Sequence, residues 1–486
     1  MAPTVMIDGF NLNLDKGTGI ATYARNLSYE IHNLGLRSEV LYGTRAAPGM
    51  HPLLKEIAFF DAHVGKTPRW LEIWRAIQSS LTSPMGVKAS RVPITGAVIA
   101  TTYRSRLPYY DQIWNAPNLY NKADDMFRTY SRFIKVNGVK TPDIMHWTYP
   151  LPVRMPGAAN IYTLHDLVPL RLPFTTLDVK RRYFKLMQRI VRKADHIVTV
   201  SETSRNDIIN LLGCPERKVS NTYQSVEIPA VYANKTPEVV KREVEGAFGL
   251  PYKNYFLFYG SIEPKKNIGR IIEAYLASKV EGPLVIVGAQ AWRSEEELRL
   301  VNETTNRYLE QIGNVTLLRD RIRQFDYAPF PLLVSLIKGA KALVFPSLYE
   351  GFGLPVLEGM LLGTPVITST EGATLEVAGD AAFMVNPYDA RALADAFVEI
   401  DRNEGLRDRL STAGVKQAAL FSPEKYRERL ADVYARYTPK NTFSPRPQPI
   451  EPNERGNDAG PSDTNAGDTV SGGADSGDAS SSETAA

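Results

Sequence analysis

The sequence predicts an α/β fold in which two doubly wound domains face a cleft. Three observations predict it. Short apolar runs alternate with helix-period segments along most of the chain, in one series before about residue 235 and another after about residue 250. The runs are apolar at consecutive positions, as strands buried on both faces of a parallel sheet are. Glycine- or lysine-bearing segments sit where runs hand over to helices, and such sheets bind ligands at the carboxyl ends of their strands. At 486 residues the chain has room for two to three domains.

The first series opens with a strand at 5–8, which reads as structure rather than as a signal peptide. Ile20, Tyr23, Ala24, Leu27, Ile31 and Leu34 then recur at helical spacing, and 39–42 reads as strand again. Further strands are expected at 144–147, 161–164 and 197–200, with a helix over 181–192. The second series places strands at 255–259, 284–287, 315–318, 342–345, 366–368 and 382–385. A helix carrying Ile268, Ile271, Ile272 and Tyr275 opens on Asn267 as its N-cap. Alternation of this kind implies parallel sheets with right-handed crossovers.

Composition narrows the class. The hydrophobic fraction is 43% and the charged fraction 23%, values of a soluble globular protein. No run of about 18 apolar residues suggests a spanning helix. Cys214 is the only cysteine, which excludes a disulfide scaffold and a four-cysteine zinc site and points to a reducing cytosol. The net charge of +4 is unevenly placed. Residues 441–486 hold eight acids against Arg446 and Arg455, in a Ser-, Gly-, Asp- and Pro-rich composition expected to be disordered, either as a solubilising tail or as a regulatory one. Residues 44–140 hold fourteen basic residues against six acidic ones, with three of the five tryptophans.

Three strand-to-helix loops carry the candidate chemistry. Asp15-Lys16-Gly17-Thr18-Gly19-Ile20 is either a plain tight turn or a place where backbone N–H groups approach an anion at a helix start. It lacks the third glycine of a dinucleotide fingerprint, which disfavours an oxidoreductase. In Tyr259-Gly260-Ser261-Ile262-Glu263-Pro264-Lys265-Lys266-Asn267 two lysines precede a helix start, against the helix dipole, and a bound diphosphate would relieve that opposition. In Glu350-Gly351-Phe352-Gly353-Leu354-Pro355-Val356-Leu357-Glu358 two carboxylates flank a Gly-x-Gly turn, and each can accept hydrogen bonds from vicinal hydroxyls of a sugar or ribose. His165, at the end of one strand, is a further candidate, His146 a weaker one. Asp166 suits either a helix cap or a catalytic role.

These loops, with Thr163-Leu164-His165-Asp166-Leu167 and Val198-Thr199-Val200-Ser201-Glu202-Thr203-Ser204-Arg205, resemble the family 4 retaining glycosyltransferases, and within them the mannosyltransferase-B-like subgroup of bacterial polysaccharide assembly. The likeness spans about residues 4–43 and 141–437. It implies the GT-B fold: a Rossmann-like acceptor-side domain over 1–235, a nucleotide-sugar-binding domain over 236–420, and a C-terminal helix at 421–440 crossing back to the first domain. Residues 44–140 would then be a basic, aromatic insertion.

The resemblance also implies roles. Glu350 would contact donor-sugar hydroxyls, helped by the N–H groups of Phe352, Gly353 and Leu354. Glu358 would hold the ribose, and Lys266 would neutralise the departing diphosphate. Gly17 and Gly19 would admit the phosphates, and His165 would lie beside the transferred sugar. Ser261 stands where many relatives carry Arg or Thr, so Lys265 would share the phosphate contact or Lys266 would act alone. The donor would be a nucleotide sugar, GDP-mannose first and UDP-glucose or another hexose donor as the alternative. No Asp-x-Asp motif is present, so no metal cofactor is expected. A non-catalytic sugar-nucleotide-binding protein is the alternative from another class.

In 44–140, Trp70, Ile73, Trp74, Ile77 and Leu81 share one helical face beside Arg69 and Arg75. Phe127, Tyr130, Phe133 and Ile134 form a second stripe beside Arg128, Arg132 and Lys135. Aromatic anchors with flanking cations suit an anionic membrane surface, and the alternative is packing onto the first domain. No nucleic-acid-binding motif accompanies the charge. The expected partners are therefore a nucleotide-sugar donor, a lipid-linked glycan acceptor and the inner face of the cell membrane, reached from the cytoplasm.

Overall fold

The computed structural model describes residues 2–13, 19–44, 51–60, 86–95, 98, 107–291, 294–302, 307–312, 315–439 and 443. The first sheet is built from β1 (Thr4–Asp8), β2 (Arg37–Tyr42), β3 (Ser90–Val92), β4 (Gln112–Asn115), β5 (Ile144–Trp147), β6 (Ala159–Thr163), β7 (His196–Thr199) and β8 (Val219–Asn221). Side by side they run β8-β7-β6-β5-β1-β2-β4-β3. All neighbours are parallel except β3 and β4 at the edge. The chain leaves β1 towards one side and returns through β5 on the other. That reversal opens a crevice at the carboxyl ends of β1 and β5.

The second sheet contains β9 (Phe256–Tyr259), β10 (Leu284–Val287), β11 (Ile322–Phe325), β12 (Ala342–Phe345), β13 (Val366–Ser369) and β14 (Phe383–Val385). Their order is β11-β10-β9-β12-β13-β14, parallel throughout. Its reversal lies between β9 and β12. Every residue of β9, β10, β12 and β13 is buried, which is why these segments read as unbroken apolar runs. Each such large side chain contributes roughly 1.5–3 kcal/mol by leaving water.

The helices that shape the cleft are α1 (Gly19–Asn33), α2 (Lys180–Lys193), α3 (Glu202–Leu212), α4 (Ile268–Ser278), α5 (Leu354–Leu361), α6 (Ala373–Ala378) and α7 (Pro423–Tyr434). Helix α3 begins at Ser201, whose side chain accepts from the Ser204 N–H, and stops at Gly213 in the left-handed conformation. Helix α7 starts on a Ser422 cap and Pro423, then packs back on the first sheet. Its Tyr434 hydroxyl meets Nδ1 of His146 at 2.7 Å, and Arg427 Nε donates to Glu30 at 2.5 Å.

The structure corrects three expectations. The segment expected at 315–318 is a strand, but it belongs to an antiparallel hairpin of Arg307–Ile312 with Val315–Asp320. The parallel neighbour of β10 is β11, the next stretch of chain. Residues 44–140 are not simply an insertion, because β3 and β4 extend the first sheet from within them. The stripe of Phe127, Tyr130, Phe133 and Ile134 is not one helical face. The helix Leu119–Tyr130 ends at Ser131 with φ 53°, Phe127 is buried, Tyr130 is exposed and Ile134 begins a strand. Trp70, Trp74, Arg69 and Arg75 lie outside the described residues, as does nearly all of 441–486.

His146 is fully buried, its Nε2 at 2.7 Å from Thr163 Oγ1, and burial pushes the imidazole down to about 3. It is a neutral tie between β5, β6 and α7. Tyr434→Phe leaves that ring nitrogen without its partner and is expected to cost about 1–3 kcal/mol, measured by urea denaturation.

Candidate active site

The loop after β9 and the loop after β12 flank the reversal of the second sheet, and backbone contacts stitch them together. The Leu348 N–H donates to the Lys265 carbonyl at 2.8 Å. Asn267 occupies the N-cap position of α4 with φ 64°, but its side chain does not cap that helix. Instead its amide donates to the carbonyls of Pro346 at 3.1 Å and Pro387 at 2.7 Å. The residue expected to start a helix therefore anchors one loop to the other.

This stitching delivers Lys266 to Glu350. Its Nζ lies 2.5 Å from Glu350 Oε1 and 4.7 Å from the centroid of the Phe345 ring. Glu350 is buried, which by itself raises its pKa. The charges of Lys266 and Lys265 outweigh burial and hold the carboxyl below the usual value. Burial likewise disfavours the Lys265 charge, yet the carboxylates of Glu350, Glu263 and Asp166 overcome it and raise that ammonium above its ordinary value. Two ammonium groups thus share a pocket with carboxylates that balance them, Lys266 paired with Glu350 and Lys265 lying 3.6 Å from Glu263. Ser261, next to this loop, is exposed, and its hydroxyl donates to Glu263 at 3.0 Å.

The first domain closes on this pocket. A side chain at Gly351 would come within 2.6 Å of the His165 carbonyl oxygen, so only glycine allows the two loops to approach. Gly353 has φ 103°, a conformation that likewise favours glycine. A Cβ on Gly19 would sit 3.2 Å from Leu354 Cδ1, which puts the start of α1 opposite the start of α5. His165 Nε2 is 3.0 Å from the Thr148 carbonyl, an acceptor only, so this nitrogen carries the proton. Nδ1 is then the acceptor of a neutral ring, and burial lowers the pKa of that ring. Thr148 is held by its N–H to Asp8 Oδ2, and burial raises Asp8 to about 6.

Two polar contacts join the domains beside the pocket. The Glu376 carboxylate on α6 accepts from the N–H groups of Glu202 at 2.8 Å and Thr203 at 3.2 Å, at the start of α3. The Tyr349 hydroxyl donates to Asp207, which Arg171 Nε also reaches at 2.9 Å.

The structure therefore brings His165, Lys265, Lys266, Glu350 and Gly351 together, with Gly19 facing Leu354 and buried Phe352 behind. Glu358 is on α5, but its carboxyl faces the Tyr259 hydroxyl at the end of β9 rather than the turn between the carboxylates. Arg128 is exposed and paired with Asp125 at 3.0 Å, and Arg132 is exposed. Both lie on the surface, away from the pocket residues named above. Gly17 is outside the described residues. Asp8 and Thr148 escaped sequence reasoning, and Tyr259, though it opens the lysine loop, was not expected to partner Glu358. Only Asp8 carried a local signal, an acid closing an otherwise apolar strand. Among the described residues no group of three or more His, Cys, Asp or Glu side chains is arranged to hold a metal ion.

Comparison with known proteins follows this geometry. A model described as glycosyl transferases group 1 matches residues 241–417, and one described as glycosyltransferase family 4 matches 95–227. The chain is 30% identical to the O-antigen chain mannosyltransferase B of Escherichia coli over 292 residues, 58% of this chain and 71% of that protein. The chain is a family 4 glycosyltransferase. The match from residue 95 includes β4, so the glycosyltransferase pattern begins inside the stretch expected to be an insertion.

Solved structures agree on the fold of the glycosyltransferase. Sucrose-phosphate synthase of Thermosynechococcus elongatus superposes with a TM-score of 0.59 at 17% identity, over 90% of this chain and 99% of that one. Anabaena Alr3699/HepE, solved with UDP-glucose, gives 0.57 at 13% identity, over 89% and 100%. The architecture of this glycosyltransferase is GT-B.

Burial pushes the Glu358 carboxyl up to about 7 from 4.5, against the Tyr259 hydrogen bond, which lowers it. The folded state therefore binds a proton that the unfolded chain releases near 4.5, and stability from this group falls as pH rises between about 4.5 and about 7. Glu358→Gln removes that part of the slope. Urea midpoints measured across this window have a more positive pH slope in the variant than in the wild type, the shares of Asp8 and of the buried histidines being common to both. Equal slopes would contradict the assignment.

Proposed function

We propose that this glycosyltransferase is a retaining enzyme. It moves mannose from GDP-mannose to a lipid-linked oligosaccharide or polysaccharide at the cytoplasmic face of a membrane, in surface-polysaccharide synthesis. The observation that carries the reading is the buried Glu350 held by the charges of Lys266 and Lys265, with the next residue, Gly351, packed against the His165 backbone. The likeness to an O-antigen chain mannosyltransferase supports the sugar and the acceptor class.

The chemistry follows from the charges. The bond between the anomeric carbon and the diphosphate oxygen breaks, and its electron pair leaves on that oxygen. Lys265 and Lys266 face the growing negative charge, helped by the N–H groups of Phe352, Gly353 and Leu354 where α5 begins. The acceptor hydroxyl oxygen forms the new bond on the face the diphosphate leaves, and its proton passes to the departing oxygen. Glu350 accepts hydrogen bonds from the sugar hydroxyls. Without donor, Lys266 and Glu350 satisfy one another. With donor, the diphosphate becomes the partner of the lysines and the hydroxyls become the partner of the carboxylate. His165 sits beside the transferred sugar with Nδ1 as its acceptor. Glu358 exchanges Tyr259 for the ribose hydroxyls, and Gly19 leaves room for the phosphates.

Two measurements test this. In a thermal-shift screen of nucleotide sugars, GDP-mannose raises the melting temperature more than UDP-glucose does, because a ligand bound only by the folded state stabilises it. Glu350→Ala and Lys266→Ala each lower donor turnover by at least about tenfold, the scale of one charge-assisted contact. Near-normal turnover in both variants would sink the site assignment.

A further inference from the structure

Among the described residues, a run of exposed apolar side chains leads into α2. In the segment leading into α2, Phe174 is 62% exposed, Leu177 75% and Val179 68%, and Phe184 in α2 itself is 37% exposed. Exposed apolar side chains ordinarily occur singly, and a cluster of this kind marks an interaction surface. The helix that follows is strongly basic, KRRYFKLMQRIVRK, without an acid. Its inner face buries Met187, Ile190 and Val191. Arg181, Lys185 and Arg192 fall on the opposite stripe by helical spacing. None of these three forms an ion pair among the described residues, whereas Arg182 pairs with Asp124. Cations in the first turn also oppose the helix dipole. Packing of α2 therefore accounts for its inner face and leaves both the apolar cluster and the outer cations without a role in the fold.

The location ties this surface to the pocket. The Tyr183 hydroxyl on α2 donates to the Asp166 carbonyl at 3.1 Å, one residue from His165. Whatever α2 rests on therefore lies close to the loop that faces the lysine pocket.

We propose that residues 173–193 dock the protein on an anionic lipid bilayer. Phe174, Leu177 and Val179 enter the boundary between headgroups and acyl chains, and Arg181, Lys185 and Arg192 lie over acidic headgroups. An anionic bilayer is the occupant that uses both halves of the surface, since a soluble polyanion would engage the cations and leave the apolar cluster in water. The inference rests on the reading that the acceptor is lipid-linked, and it moves the membrane contact from the helix expected around Trp70 and Trp74 to α2.

Co-sedimentation of the full chain with vesicles tests it, using phosphatidylcholine alone and phosphatidylcholine mixed with phosphatidylglycerol. The wild type partitions onto the mixed vesicles and stays in solution with the neutral ones. Phe174→Ser with Leu177→Ser, and separately Arg181→Glu with Lys185→Glu and Arg192→Glu, each reduce partitioning by about tenfold or more. Donor hydrolysis by both variants stays within about twofold of the wild type, as expected of surface substitutions. Wild-type partitioning in both variants overturns the proposal. Loss in the charge variant alone also overturns it, in favour of a soluble polyanion. A chain that turns over donor but binds no vesicles refutes the docking surface and leaves the transfer reading standing. One that binds vesicles through α2 but turns over no nucleotide sugar refutes the transfer reading and upholds the surface.

Discussion

Burial of Glu350 is the constraint around which the second domain is arranged. A carboxylate out of water is costly unless charged partners compensate, and breaking a buried pair costs about 3–5 kcal/mol because the remaining charge stays buried. Two lysines from a loop 84 residues away in sequence supply the compensation. They can do so only because β9 and β12 are neighbours and Asn267 directs its amide to the far loop instead of to its own helix. The left-handed backbone at Asn267 and the lysines set against the helix dipole are both departures from local preference. Each is compensated across the crevice, a pattern common where a site takes precedence over local structure.

Much of this was legible from residues alone. Five of the six strands of the second sheet read correctly because parallel strands covered on both faces are apolar throughout. The lysine loop and the paired carboxylates were legible because charges set beside glycines at the end of a buried strand oppose local preference unless a ligand or a distant partner meets them. What could not be read was long-range. An antiparallel hairpin strand such as Val315–Asp320 has the same apolar run as a parallel one, so the run alone did not reveal which strand pairs with β10. The edge strand β4, QIWN, has polar ends and alternating burial, and no periodic signal in so few residues marks it. Tyr259 as the partner of Glu358 depends on which strand end lies beside α5, a fact of topology rather than of composition.

The two sheets contribute unequally to the pocket. The second supplies most of its charges, whereas the first adds the Asp166 carboxylate and neutral, well-held groups: an imidazole kept uncharged by burial, a carbonyl that sets its tautomer, and a glycine at the start of α1. Asp8 sits behind them, far enough inside to be pushed towards its protonated form. One wall of the pocket therefore carries most of the charge and the other most of the positioning, a division set by whether each buried group has a charged partner.

The contact of Glu376 with the start of α3 has a dynamic consequence. The N–H groups it accepts from stand at a helix end near solvent, so separation of the domains hands them to water rather than leaving them bare. Each such bond is then worth only about 1 kcal/mol net, and the pair biases closure by roughly ten- to a hundredfold. A latch of that strength holds the halves together while reactants are enclosed, yet releases on its own often enough for a product to leave. A catalyst that must open once per turnover is better served by such a reversible clasp than by a dry apolar seam.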